Sequence, residues 1–404
     1  MTPNPALGVV LHWIGGLASA SFYVPYRWVR RWSWETFWLA GGIFSWVIAP
    51  WFLGWLKTRD LFSVLSATPV STLFWVGFFG LLWGVGGLTY GLTMRYLGLS
   101  LGMAVVLGLC AAFGTLVPPI LRGVFLTQVV ETLSGRIILL GVLVCLSGIA
   151  AAGLAGLSKE RAMLPEQRNA VIQEFNLRKG IAVATLSGVM SACFALGLNW
   201  GDPIRQLTLQ HGTPVIWQGL AVLPVLLVGG FLTNFAWCVI LHIRNQSARE
   251  YFSRRAQDSP ASAGDKARVE TGLDAPSGGL AEHSPDHLAD RRGGSAVLIQ
   301  VPAAEQKQAV PILANYLLCA LAGTTWYFQF FFYTMGESQM GRYKFSSWTL
   351  HMASIIIFGS LWGIALKEWK GAGRRTAWLL GLALFLLVSS TIVVGYGNYV
   401  ALGQ

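Results

Sequence analysis

The chain has 404 residues, of which 54% are hydrophobic and only 12% charged, with a mean hydropathy of +0.55. Soluble domains run near 25% charged, so the composition points to a polytopic membrane protein and excludes an ordinary soluble enzyme. The formal charge of +11 would suggest a nucleic-acid partner in a soluble protein, but its distribution here is topological and implies none.

Runs of roughly 20 apolar residues, the length that crosses a bilayer as a helix, predict ten spans at 7–27, 34–56, 71–94, 98–120, 136–157, 180–200, 214–241, 310–335, 346–366 and 376–400. The first basic residues, Arg27, Arg30 and Arg31, follow span 1 instead of preceding it, so that span is expected to stay as an anchor and not to be cleaved as a signal peptide. The loops after odd-numbered spans carry 22 of the 29 basic residues and those after even-numbered spans the other seven. By the positive-inside rule, the odd loops are expected in the cytoplasm and both termini outside.

Two linkers interrupt the apolar pattern. Residues 158–179 divide the spans five and five, which predicts a first five-helix repeat over 1–157 and a second over 180–404. Residues 244–309 hold nine basic and nine acidic side chains and almost no aromatics beyond Phe252. Such a composition buries no core and is expected to be a disordered cytoplasmic loop.

A weak internal repeat fits this division. Gly16 to Phe22 reads GLASASF and Gly188 to Phe194 reads GVMSACF. Trp83, Tyr90 and Gly98 recur as Trp326, Tyr333 and Gly341 at the same spacing. Five helices per half make the second copy enter from the opposite side, so the predicted fold class is all-α with ten transmembrane helices in two inverted five-helix repeats. Secondary transporters of this kind hold substrate near the midplane between repeats.

The most distinctive stretch is WYFQFFFY, Trp326 to Tyr333. At about 100° per residue, Trp326, Gln329 and Tyr333 share one helical face. Rings to stack on beside an amide and a hydroxyl suit a sugar, with its apolar C–H faces and hydroxyl belt. The same face would also serve as an interfacial aromatic belt or a packing surface. Tyr23, Tyr90 and Asn199 are further polar groups at depth and complete the candidate substrate site. Ionisable groups inside spans are rare, so His12 and His351 are candidates for carrying a proton. Glu35 opens span 2 and is the third candidate; beside Arg27, Arg30 and Arg31 it could equally form an interfacial ion pair. Asp202 follows span 6 and is expected outside the hydrocarbon. Pro25, Pro50, Pro118 with Pro119, and Pro224 are candidate helix breaks bordering a cavity. Cys110, Cys145, Cys193, Cys238 and Cys319 all lie in apolar runs and are expected as free thiols. No Walker loop, HExxH or CxxC occurs, so no catalytic residue, metal or cofactor is expected.

WSWET (Trp32 to Thr36), YGLTMRYLG (Tyr90 to Gly98), WYFQFFFY, W-x-L-H-M (Trp348 to Met352) and LKEWKGAGRR (Leu366 to Arg375) together resemble the L-rhamnose–proton symporter family of the drug/metabolite transporter superfamily. The resemblance spans essentially the whole chain. It implies ten helices, a bacterial inner membrane, and uptake of L-rhamnose or a similar deoxy sugar with a proton. TMGESQMGRYKF (Thr334 to Phe345) and the long 244–309 loop depart from the family pattern. The alternatives are an exporter or exchanger of another small solute, and a membrane sensor signalling through the 244–309 loop.

Overall fold

The computed structural model describes residues 2–162, 176–253 and 310–403. The regular structure of these residues is entirely helical, with no strand among them. In chain order the helices are α1 (Pro5–Ser21), α2 (Tyr23–Tyr26), α3 (Trp34–Gly42), α4 (Ala49–Lys57), α5 (Leu61–Ala67), α6 (Val70–Leu97), α7 (Leu99–Leu121), α8 (Leu133–Ala162), α9 (Leu177–Trp200), α10 (Asp202–Gln210), α11 (Val222–Asn245), α12 (Ile312–Glu337), α13 (Ser347–Ala365) and α14 (Arg374–Val400). Nine helical segments among the described residues are long and apolar enough to cross a membrane. The 26-residue helix α12 has comparable length, but its Trp, Tyr, Gln and Thr side chains make it less apolar.

Local chemistry sets the helix ends. Asn4 caps α1 by accepting from the Leu7 N–H at 3.1 Å, and Asn176 caps α9 by accepting from Lys179 N–H at 3.1 Å. Gly98, at φ +79°, turns the chain from α6 straight into α7, a conformation that a side chain would strain. Between α3 and α4 the helix loosens into a π-helical turn, Ile43–Ile48. Pro50 explains this: it has no N–H to donate to the carbonyl four residues back. Pro25 lies in α2, beyond the end of α1, Pro118 and Pro119 sit within the last turn of α7, and Pro224 falls in the first turn of α11.

Small residues decide which helices meet, as expected where lipid removes any hydrophobic drive between spans. Helix α6 packs closely on α9 and α11, and α9 also on α7. Helix α1 packs on α12 and α13, and α8 pairs with α14. At Gly80 and Gly229 a Cβ would meet the backbone of the facing helix, so α6 and α11 touch main chain to main chain. Ser354 of α13 fits against Gly16 and donates to the His12 carbonyl at 3.0 Å. Ser390 of α14 donates to the Gly141 carbonyl at 2.9 Å. Large apolar side chains such as Phe52, Phe74, Phe385 and Ile392 cover the outer surface. All five cysteines are free and buried.

Two boundaries differ from the sequence-based expectation. Helices α8 and α9 extend into the 158–179 linker, leaving 163–175 outside the described residues. The start of the 244–309 loop is ordered: α11 runs to Asn245 and a 3₁₀ turn follows at Ser247–Tyr251. The expected disorder does not hold there because Ser247, Glu250 and Tyr251 find hydrogen-bond partners on neighbouring elements, which hydrophobic composition does not register. Residues 254–309 lie outside the described set.

Candidate functional site

The aromatic stretch of α12 forms one wall of a buried seam, and α6, α9, α13 and α1 supply the others. Trp326 lies 5.7 Å from Trp83 of α6 and 5.8 Å from Trp46 of the π-helical turn. Phe330 stacks on Phe194 of α9 at 4.0 Å, and Phe194 lies 5.9 Å from Trp348 of α13. Tyr333, two turns beyond Trp326, stands between the two histidines, 5.2 Å from His12 and 5.3 Å from His351. Offset and edge-on ring pairs of this kind each contribute about 0.5–1.5 kcal/mol beyond burial. The seam is therefore cohesive without any charge.

Between Phe22, Tyr26, Trp38, Trp46 and Trp326 the rings leave a cavity of about 10 Å³, room for roughly one water. Gly42 and Gly323 form part of its lining. A six-carbon sugar does not fit this space, so admitting one requires the walls to part.

The polar atoms of the seam set its chemistry. His12 and His351 are wholly buried, and neither ring nitrogen of either has a hydrogen-bond partner among the described residues. A buried polar group left without a partner costs about 1–3 kcal/mol, so this arrangement is unfavourable for packing alone. It suits side chains that meet a ligand hydroxyl. Gln329 is buried on α12, where its backbone carbonyl lies against Gly15 of α1. Tyr23 borders the seam through Phe22, 5.5 Å away, and Tyr26, 5.7 Å away.

The other predicted residues lie elsewhere. Tyr90 belongs to a separate cluster with Met94, Leu97, Val106 and Ala184, where its hydroxyl is buried without a described partner. Asn199 donates to the Ala195 carbonyl at 2.9 Å, and its own carbonyl accepts from Arg122 at 3.2 Å. Glu35 is buried at the far end of the bundle from Glu337. It accepts from the Ser247 hydroxyl at 2.5 Å and from the Asn245 amide at 3.0 Å. Ser247 also meets His242 Nδ1 at 2.8 Å, and His242 Nε2 meets the Tyr251 hydroxyl at 3.0 Å. Beside this chain, Glu250 accepts from the Ser33 N–H at 2.7 Å and from its hydroxyl at 2.9 Å. Burial raises the Glu250 carboxyl above its ordinary range, against the lowering pull of the Ser33 and Thr36 donors.

At the opposite end is a charged cluster that sequence reasoning missed. Asp202 opens α10 and is held by three cations: Arg205 at 3.1 Å, Lys344 at 2.5 Å and Arg122 at 2.5 Å. Arg205 reaches on to Glu337 at 2.5 Å, and both of these side chains are buried, at 6% and 4% exposure. Placing the end of span 8 at residue 335 cut Glu337 off its helix. An acidic residue one turn beyond the aromatic run was the signal available. His242 was hidden in the same way, at the end of an apolar run.

A sequence profile of the L-rhamnose-proton symport protein (RhaT) family matches residues 1–257 and 299–400. The L-rhamnose-proton symporter of Citrobacter koseri is 34% identical over 394 residues, covering 97% of both chains. Those of Salmonella gallinarum and Salmonella paratyphi B are likewise 34% identical over 394 residues and 97% of both chains. With both parts of the chain matched and its relatives covered over 97% of their length, this multi-pass membrane protein belongs to the L-rhamnose-proton symport protein family.

Proposed function

We propose that the protein is a secondary transporter that brings L-rhamnose, or a similar deoxy sugar, across a bacterial inner membrane together with a proton. It is a transporter and not an enzyme, in keeping with its family. The observation that carries this reading is the buried seam, where stacked aromatic rings adjoin two histidines with unpartnered nitrogens. In it, Trp326 stacks on the sugar, Gln329 and Tyr333 bind its hydroxyls, and Tyr23 closes one side. His351 and His12 carry the proton, ahead of Glu35. Proton entry draws on the membrane potential, worth about 2.3 kcal/mol per charge per 100 mV. Proteoliposomes holding the purified protein should accumulate radiolabelled L-rhamnose when an inward proton gradient is imposed and merely equilibrate it without one. Equal uptake in both conditions would remove the proton from the mechanism.

We further propose ten spans, with α12 as the eighth, in two inverted five-helix repeats over 1–157 and 180–404. Contacts that exchange when the repeats exchange support this. Gly16 of span 1 packs on span 9, and its repeat mate Gly188 of span 6 packs on span 4. Phe22 meets Trp326 as Phe194 meets Trp83. Gly98 and Gly341 both have positive φ. The basic residues then put both termini outside and residues 158–179 and 244–309 in the cytoplasm. Cysteines introduced near residue 170 and residue 275 should resist an impermeant thiol reagent in intact cells. Labelling of both would invert the orientation.

A further inference from the structure

The charged cluster at the Glu337 end has no part in the seam's aromatic chemistry, yet it ties the two walls of the seam together. Arg205 belongs to α10, which continues from the α9 wall; Glu337 is the last residue of the α12 wall. Their 2.5 Å contact joins them at the end that the basic-residue distribution assigns to the outside. A burial this deep makes the pair costly unless both charges stay matched.

We infer that the Arg205–Glu337 pair is the outer gate of the transport path and that protonation of Glu337 opens it. The inference rests on the symport reading and adds to it the residues that link proton arrival to access.

The geometry makes Glu337 the partner that can release. Arg205 is bonded at once to Glu337 on the facing wall and to Asp202 on its own helix. When Glu337 is neutral, the guanidinium keeps Asp202 and no buried charge is orphaned. The walls lose their ion pair and keep at most a weaker hydrogen bond from the guanidinium to a neutral carboxyl. Neutralising Asp202 instead would leave three cations with Glu337 alone. The groups facing Glu337 are Arg205 and Asp202 from α10, Lys344 from the turn before α13, Arg122 from the end of α7, and Tyr333 from its own helix. From α1 comes His12: a Cβ on Gly336 would lie 3.0 Å from both His12 Cε1 and Nε2. The absence of a side chain at Gly336 thus lets the imidazole lie against α12 one residue from Glu337.

Native Cys110 reports on the gate without any substrate. It is buried beside the seam, where its carbonyl accepts from Trp348 Nε1 at 3.0 Å. The measurement is its modification rate by a small thiol reagent in purified full-length protein, read by peptide mass spectrometry. The ratio of Glu337→Gln to wild type at each pH cancels the thiol's own ionisation. That ratio should be about tenfold or more in alkaline buffer, where only the wild type retains the carboxylate–guanidinium ion pair. It should fall toward one as the buffer is acidified and wild-type Glu337 takes up its proton. Arg205→Gln with Glu337→Gln together should match Glu337→Gln alone, because the gate is already released. A ratio that stays constant with pH, or no acceleration in either variant, would reduce the pair to a static clamp. Should Glu337→Gln fail to insert, Glu337→Asp keeps a carboxylate on a shorter arm and should label faster than wild type in alkaline buffer only. Pure wild-type protein that moves no L-rhamnose would refute the substrate reading and leave the labelling result standing.

Discussion

Replacing His351 by glutamine is expected to abolish accumulation of L-rhamnose against its gradient while leaving downhill exchange of the sugar in place. Glutamine retains a donor and an acceptor and fills much of the imidazole's space, but it does not titrate. His351 is wholly buried, touches Tyr333, Phe330 and Trp348 by its ring, and has no protein partner for either nitrogen among the described residues. His12→Gln should give the same phenotype, since His12 meets the other side of Tyr333. Glu35→Gln is the control. Its carboxylate is already engaged by Ser247 and Asn245, so the amide should cost stability at that end before it costs coupling. Uptake assays with a reversible sugar gradient separate the two outcomes. If both histidine variants still concentrate sugar while Glu35→Gln does not, the carboxylate carries the proton and the histidines are structural.

The second large effect is expected at Gln329. An amide both donates and accepts, so it can hold two adjacent sugar hydroxyls. Removing one partner of a buried hydrogen bond costs roughly 1–3 kcal/mol, which is about five- to 150-fold in affinity. Gln329→Leu should therefore raise the half-saturation constant for L-rhamnose by that factor, with membrane insertion unchanged. Trp326→Phe should be milder, because Phe still stacks and Trp83, Trp46 and Phe330 still surround the position. An unaltered half-saturation constant in Gln329→Leu would return this stretch to a packing role.

Much of this protein is legible in its sequence because a bilayer imposes a simple rule. Backbone groups in hydrocarbon must bond within their own segment, so long apolar runs become helices wherever they occur. The helical character of the apolar runs, nine segments of which are long and apolar enough to cross a membrane among the described residues, and the shared face of Trp326 and Tyr333 follow from that rule and from helical periodicity. Periodicity says which face of a helix is distinctive, however, and not which other helix will cover it. In lipid, partners are chosen by small-residue fit and by hydrogen bonds between segments distant in the chain. Only the tertiary structure therefore brings Trp83 and Phe194 onto the Trp326 face, and leaves Tyr90 and Asn199 away from it. The same holds for ionisable residues. Glu35 looked like a partner for nearby arginines, yet it bonds Asn245 and Ser247, more than 200 positions later. Arg205 and Glu337 are 132 positions apart, and each looks like an ordinary helix-end charge in sequence. Folding buries both in one contact, and a buried charge pair has consequences that two solvated charges lack.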